Sequence, residues 1–171
     1  MEEIIKVIHE YWAIAIVDAV TSLAGVPLHV DKWDLDVVYS GSQKCLSCPP
    51  GMSPITLGPR AVARLEARKT KVKNWYLDLG MVQKYWGKER TCHHTAPISN
   101  VYGLYEALRI VAEEGLETRW KRHRTHAEMF WKGLTEMGLE CHVLEENRLE
   151  SLTTICVPDG VDELRVRQGL L

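Results

Sequence analysis

Residues 36–44 have the sequence DVVYSGSQK and run from a short strand into a turn that carries a lysine. Asp36 to Ser40 is rich in β-branched and aromatic side chains, which predicts a strand, and Gly41 marks its end. Lys44 follows just beyond. The fold class therefore depends on whether this strand has a parallel neighbour that ends at the same edge.

A suitable neighbour lies upstream. Ala13 to Val17 is short, continuously apolar and rich in isoleucine and valine, as expected for a strand buried on both faces of a parallel sheet. Asp18 follows at its carboxyl end. Because open α/β folds bind ligands at the carboxyl ends of their strands, we expect Asp18 and Lys44 to share one sheet edge.

The chain then alternates breaks with helices. Pro49, Pro50 and Gly51 interrupt it, residues 55–57 form a candidate third strand, and Pro59 suits the first turn of a helix. Apolar residues at three-to-four spacing predict further helices over 79–86 and 98–111. Together with a helix-like stretch over 1–12, these elements predict a large domain with a mainly parallel sheet over residues 1–115.

Gly115 is the expected break between domains. Beyond it we predict a charged amphipathic helix over 116–137, strands over 139–144 and 152–157, and a helix starting at Asp162. Residues 116–171 thus resemble the beginning of a smaller α+β domain. No cap or stop signal closes either end of the chain, so we expect an architecture that is incomplete at both ends.

The composition excludes several classes of function. The 171 residues include 21 basic and 23 acidic side chains, and the basic cluster over 119–124 is interleaved with acids, so neither nucleic acid nor an anionic membrane is an expected partner. No apolar run approaches the roughly 20 residues that span a bilayer. Five scattered cysteines with no signal peptide favour reduced thiols and an intracellular, soluble protein, cytoplasmic or, in a eukaryote, peroxisomal or mitochondrial.

The pair Lys44 and Asp18 has a specific chemical use. Pyridoxal phosphate (PLP) requires a lysine amine for its Schiff base and an acidic partner that keeps the pyridine nitrogen protonated. Taken singly, a lysine is usually a solvated surface charge and an aspartate often caps a turn. The residues permit a PLP site but do not by themselves single it out.

Four motifs together resemble the class V aminotransferases of the alanine:glyoxylate (serine:pyruvate) group: VDAVTS at 17–22, YSGSQK at 39–44, PPG at 49–51 and HHT at 93–95. Their order and spacing match across nearly the whole chain. The resemblance implies the architecture of fold type I PLP-dependent transferases. It also implies amino transfer from alanine or serine to glyoxylate or pyruvate, with small amino acids and 2-oxo acids as substrates.

The resemblance implies a role for each matching residue. Lys44 would form the Schiff base with the cofactor and shuttle the proton, and Asp18 would pair with the ring nitrogen. Gln43 would bind the cofactor phosphate. Thr95 would reach the phosphate of the neighbouring subunit, which implies a homodimer with shared active sites.

The sequence departs from the family at several points. Cys92 stands where many members have a tyrosine that also touches the phosphate. The family's phosphate-cradling loop, its ring-stacking aromatic and its substrate-binding arginine have no counterpart, since Arg165 and Arg167 do not match the context of that arginine. One alternative is therefore a catalytically inactive truncated chain that acts at most as a binding or decoy subunit.

A second alternative is another class V activity, a lyase or a desulfurase that uses the same lysine and a mobile cysteine loop. Cys45 and Cys48 lie too close to Lys44 to serve as that loop. Their C-x-x-C spacing has no second pair, and the adjacent His93 and His94 are poorly placed to share one ion, so no metal site is expected.

Overall fold

The computed structural model describes all 171 residues. In chain order, its helices and strands are α1 Glu2–Glu10, β1 Ile16–Asp18, β2 Val37–Tyr39, β3 Ile55–Leu57, α2 Pro59–Glu66, α3 Leu79–Trp86, α4 Ile98–Glu114, α5 Leu116–Glu136 and α6 Glu163–Gly169. Short 3₁₀ turns cover Trp75–Leu77 and Glu145–Asn147. No helix is both long enough and apolar enough to cross a membrane.

The sheet has three strands in the order β1-β2-β3. Strands β1 and β2 are parallel, with Asp18 opposite Tyr39, so both strands end at the same edge as predicted. Strand β3 runs antiparallel to β2, with Ile55 opposite Tyr39. The connection from β2 to β3 contains no crossover helix, which explains why this second pair is antiparallel.

Two strand predictions were inaccurate. The predicted strand over 13–17 lies instead at Ile16–Asp18, and Ile16 is 69% exposed, so β1 is not covered on both faces, which differs from the prediction. The predicted strands over 139–144 and 152–157 meet only at isolated bridges, such as Cys141 opposite Ile155. A single bridge does not make the continuous ladder that defines a strand pair.

The helix predictions were closer. Helix α3 has the predicted bounds, α4 extends beyond 111 to Glu114, and α5 ends one residue before 137. Pro59 is the first residue of α2, and Asp162 caps α6 by accepting a hydrogen bond from the Arg165 amide (3.1 Å). Gly115, at φ +79°, is the one residue between α4 and α5. The domain boundary at 115 remains a prediction.

The main core lies between α1 and the sheet, and its fully buried members are Ile5, Ala15, Ala19, Leu35 and Val38. Beside it Asp36, only 1% exposed, ties three elements together. Its carboxylate accepts hydrogen bonds from the Ala15 amide (2.9 Å) and Arg60 Nε (2.7 Å) and lies 2.9 Å from His9 Nε2. Helices α1 and α2 are thereby fixed to the amino end of β2.

Candidate active site

The candidate site is built at the carboxyl ends of the two parallel strands. Asp18 is the last residue of β1, and its register partner Tyr39 is the last residue of β2. The Tyr39 hydroxyl donates to Asp18 Oδ2 (2.8 Å), and the Val20 amide donates to Asp18 Oδ1 (2.8 Å). Asp18 therefore does cap the turn that follows it, while its second oxygen faces the neighbouring strand.

These hydrogen bonds set the protonation of the pair. Those from the Val20 amide and the Tyr39 hydroxyl lower the pKa of the Asp18 carboxyl, because both stabilise the charged form. The same bond raises the pKa of the Tyr39 hydroxyl, which donates to the carboxylate. The strand ends thus present a carboxylate that stays ionised at neutral pH.

The turn after β2 is held by its serines. The Ser40 hydroxyl donates to the Ala19 carbonyl (3.0 Å), which joins the turn to the residue after Asp18. The fully buried Ser42 donates from its hydroxyl to the Pro49 carbonyl (2.7 Å), and its hydroxyl accepts from the Met52 amide (3.3 Å). The path of the chain into the lysine is therefore fixed from two sides.

Lys44 and Gln43 both lie exposed on this turn. No carboxylate of the chain forms an ion pair with Lys44, so its amine is available to a ligand. The Gln43 carboxamide folds back over Gly41, where a Cβ atom would come within 2.6 Å of Gln43 Oε1.

Thr95 belongs to a different part of the chain. It is exposed in the segment before α4, and no hydrogen bond of the structure joins it to Asp18, Gln43 or Lys44. Its neighbour His93 is buried, with Nδ1 2.8 Å from His94 Nδ1 and Nε2 2.9 Å from the Trp75 carbonyl. The structure thus unites Asp18 with the Lys44 turn and leaves Thr95 apart.

The cysteines near the lysine have structural surroundings. Cys48 is buried, and Cys45 is half-buried with its thiol 3.5 Å from the Thr21 carbonyl. Burial raises the pKa of the Cys45 thiol, which suppresses the nucleophilic thiolate. No group of metal-binding side chains is present in the chain.

Two contributors to the site were not predicted. Tyr39 could have been found from its position, because it ends the second parallel strand directly opposite Asp18. Arg119 could not, since it lies 74 residues from Cys45, whose carbonyl accepts a hydrogen bond from its guanidinium. No periodicity in α5 distinguishes it from the other basic residues of that helix.

The Aminotransferase class-V family profile matches residues 1–170. The chain belongs to that family, and the family recognised from its motifs is confirmed.

Proteins of known name are similar over most of the chain. Rat alanine–glyoxylate aminotransferase is 42% identical over 89% of the chain, and the Drosophila melanogaster protein of that name is 40% identical over 98%. The (S)-ureidoglycine–glyoxylate transaminase of Bacillus subtilis is 36% identical over 93%. The chain spans about two fifths of the length of these relatives, 38%, 44% and 42% respectively.

Solved structures agree with the sequence comparison. The alanine–glyoxylate aminotransferase of Nostoc sp. superposes with a TM-score of 0.94 at 50% identity, covering 98% of this chain and 45% of that one. Ureidoglycine–glyoxylate aminotransferase of B. subtilis gives 0.92 at 38% identity, covering 99% and 44%. The predicted fold, that of fold type I PLP-dependent transferases, is confirmed for the part that this chain contains.

Proposed function

We propose that this chain carries the cofactor lysine of a PLP-dependent aminotransferase, with Lys44 as the residue that bonds to the cofactor and Asp18 as its acidic partner. The observation that carries the proposal is the strand-end arrangement. An ionised carboxylate and an unpaired lysine amine follow two adjacent parallel strands, as a PLP site requires.

The residues present fit the cofactor. Each oxygen of Asp18 accepts one hydrogen bond within the chain, and a carboxylate oxygen has a second lone pair with which to accept an N–H from a pyridinium ring. The lowered pKa of Asp18 keeps that acceptor charged. Lys44 would supply the amine for covalent attachment, and Gln43 would contact the phosphate. When bound, the cofactor supplies an electron sink that stabilises a carbanion at the substrate carbon.

The protein's part of the chemistry then falls to three side chains. With the cofactor bound, the Lys44 amine would act as general base and acid, taking up and returning the proton that amino transfer moves. Asp18 would hold the proton on the ring nitrogen of the cofactor. Tyr39 holds Asp18 Oδ2 in place through its hydroxyl and opposes protonation of that oxygen.

For the parent enzyme we propose amino transfer from alanine or serine to glyoxylate or pyruvate, which makes small amino acids and 2-oxo acids its substrates. Support comes from the relatives, whose names share glyoxylate although their amino donors differ. A lyase or desulfurase activity is less well supported. The cysteine desulfurase of Thermococcus onnurineus is only 19% identical and shares the fold, and Cys45 and Cys48 lie too close to Lys44 in the sequence to form a separate mobile cysteine loop.

We further propose a homodimer in which Thr95 serves the partner's site. The exposure of Thr95 and its separation from the Lys44 turn support this arrangement, since Thr95 makes no use of its hydroxyl within its own chain. Five free cysteines support a reducing, intracellular location, cytoplasmic or, in a eukaryote, peroxisomal or mitochondrial.

The proposal is tested by borohydride trapping of the purified 171-residue chain with added PLP, followed by peptide mass mapping. The expected result is a phosphopyridoxyl group on Lys44, lost in Lys44→Arg and retained in the control Lys32→Arg, which changes another exposed lysine. Asp18→Asn should raise the PLP concentration needed for half-labelling by roughly tenfold or more, because a charged hydrogen-bond acceptor is removed.

Labels spread over many exposed lysines would overturn the assignment of Lys44. Labelling of Lys44 without turnover of alanine and glyoxylate would support the alternative of a catalytically inactive chain, which binds the cofactor but does not complete the reaction.

A further inference from the structure

The lysine turn, residues 41–48, forms a hydrogen bond with a residue from the second half of the chain. Arg119, in the first turns of α5, is 5% exposed, and its guanidinium donates through Nη2 to the carbonyl of Cys45, the residue next to Lys44. Its Nη1 donates to Glu114 Oε2 (2.6 Å). One buried cation thereby connects the end of α4, the start of α5 and the lysine turn.

A second contact joins the same two regions. The Ser151 hydroxyl donates to the carbonyl of Thr21, three residues beyond Asp18. Packing there leaves no spare volume, because a Cβ atom at Gly25 would lie 2.6 Å from Cys45 Sγ and 3.2 Å from Ser151 Cβ. The loop after β1 and the loop after β2 thus each accept a hydrogen bond from a residue of the segment 116–171.

We infer that Arg119 is a positioning residue for Lys44, which it acts on through the Cys45 carbonyl. A guanidinium is suited to this use, because its planar fork can donate to a carboxylate and a carbonyl at once and keeps its charge. The inference rests on the proposed function insofar as Lys44 is the cofactor lysine. Its structural half, that Arg119 orders the lysine turn, can be tested without cofactor.

The chain offers a matched control in Arg122. This residue donates to the same carboxylate, from Nε to Glu114 Oε1 (2.6 Å) and from Nη2 to Oε2 (2.9 Å), but it is exposed and forms no hydrogen bond with the lysine turn. Arg119→Gln and Arg122→Gln therefore remove equal charge from the same ion-pair cluster. Only the first removes the bond to Cys45.

The experiment is amide hydrogen exchange followed by mass spectrometry on the full chain. Within the turn, the Ser47 amide donates to the Lys44 carbonyl (2.8 Å) and the Cys48 amide to the Ser42 carbonyl (3.1 Å). Arg119→Gln should accelerate exchange in the peptide covering 41–48 by about tenfold, with no such change in a peptide covering 14–20. Arg122→Gln should leave both peptides unchanged.

A rise shared equally by both peptides, or no rise in 41–48, would overturn the inference, because Arg119 would then be a general stabiliser or of no consequence. Should Arg119→Gln not fold, Arg119→Lys decides. It keeps the positive charge but cannot donate from one planar group to both acceptors, so a smaller rise confined to 41–48 is expected, and its absence would contradict us.

A cofactor-dependent readout separates the two proposals. With PLP and borohydride, Arg119→Gln should lower the share of label on Lys44 by about tenfold while Arg122→Gln does not. Scattered labelling in the unmodified chain would refute the assignment of Lys44 as the cofactor lysine. The role of Arg119 in ordering the turn would then be tested by hydrogen exchange alone. Selective labelling that persists unchanged in Arg119→Gln would refute the positioning role alone.

Discussion

Removing the buried Asp36 carboxylate should destabilise this fold measurably. In Asp36→Ala the buried Ala15 amide loses its acceptor, at a cost of about 1–3 kcal/mol. The bonds to Arg60 and His9 are lost too, but Arg60 is 44% exposed and regains water, so they add less. We expect the free energy of unfolding to fall by about 3 kcal/mol in total. In urea denaturation this lowers the midpoint by about 1.5 M, for an m-value of about 2 kcal/mol/M.

Asp34→Asn is the control, since it removes a second carboxylate that pairs with Arg60 and keeps a residue type that tolerates the positive φ of 55° at this position. Asp34 Oδ2 lies 2.9 Å from Arg60 Nη2, yet its side chain is 64% exposed, so the expected loss is at most about 1 kcal/mol. Equal losses in the two variants would refute the argument that burial of Asp36, and the amide it satisfies, makes the difference. A change in the m-value, the slope of the free energy of unfolding against urea concentration, would instead indicate an altered unfolded state.

The same network predicts a pH dependence. Burial raises the pKa of Asp36, but hydrogen bonds from the Ala15 amide, His9 and Arg60 outweigh it and hold the pKa below its ordinary value of 3.8. The stability that these bonds contribute is therefore present above pH 3.8 and is lost as the pH falls further, toward the pKa of the folded state. The difference in free energy of unfolding between the unmodified chain and Asp36→Ala should therefore decrease only below pH 3.8.

Three further predictions concern packing, thiols and titration. Gly25→Ala should destabilise the chain by about 1–3 kcal/mol in urea because its Cβ would overlap Cys45 Sγ, whereas Gly133→Ala, inside α5 with no neighbour within 4 Å, should stabilise it by about 0.5–1 kcal/mol. Iodoacetamide followed by mass mapping should label exposed Cys92 well before half-buried Cys45; the reverse order would refute the burial argument. NMR titration should give Glu114 a pKa of about 2 instead of 4.5, because its arginine partners stabilise the charged form, and an ordinary value would mean those ion pairs do not persist in solution.

The sequence predicted those parts of the fold that depend on local pattern. Helix α5 was predicted to within a residue because its pattern extends over five turns, and Pro59 marked the start of α2. The carboxyl ends of β1 and β2 could also be predicted, because Asp18 and Gly41 each come at the end of a short run rich in β-branched residues. Local pattern therefore gave the helices and strand ends, whereas the family came from the resemblance of four motifs.

The failures have a common physical origin in long-range pairing. Whether the segments over 139–144 and 152–157 form a ladder depends on register between distant residues, and here they meet only in single bridges. The antiparallel direction of β3 depends on the connection after β2, which the strand pattern does not reveal. Arg119 was missed for the same reason, because its acceptor is 74 residues away.

Strand β2 links the stability of this chain to its chemistry. The strand has three residues, and Asp36 immediately before it is bound to α1 and α2, while Tyr39 at its end is bound to Asp18. At about 3.3 Å per residue, the two polar groups lie about 10 Å apart along the strand. The network at the amino end therefore fixes the strand without touching the ligand-binding edge, and the residues at the carboxyl end are left to set charge and geometry. Because Lys44 lies beyond a turn whose serines bond to both flanking loops, its place is determined by this strand, by Ser42 and by the contact from α5, and not by the local preference of its own residues.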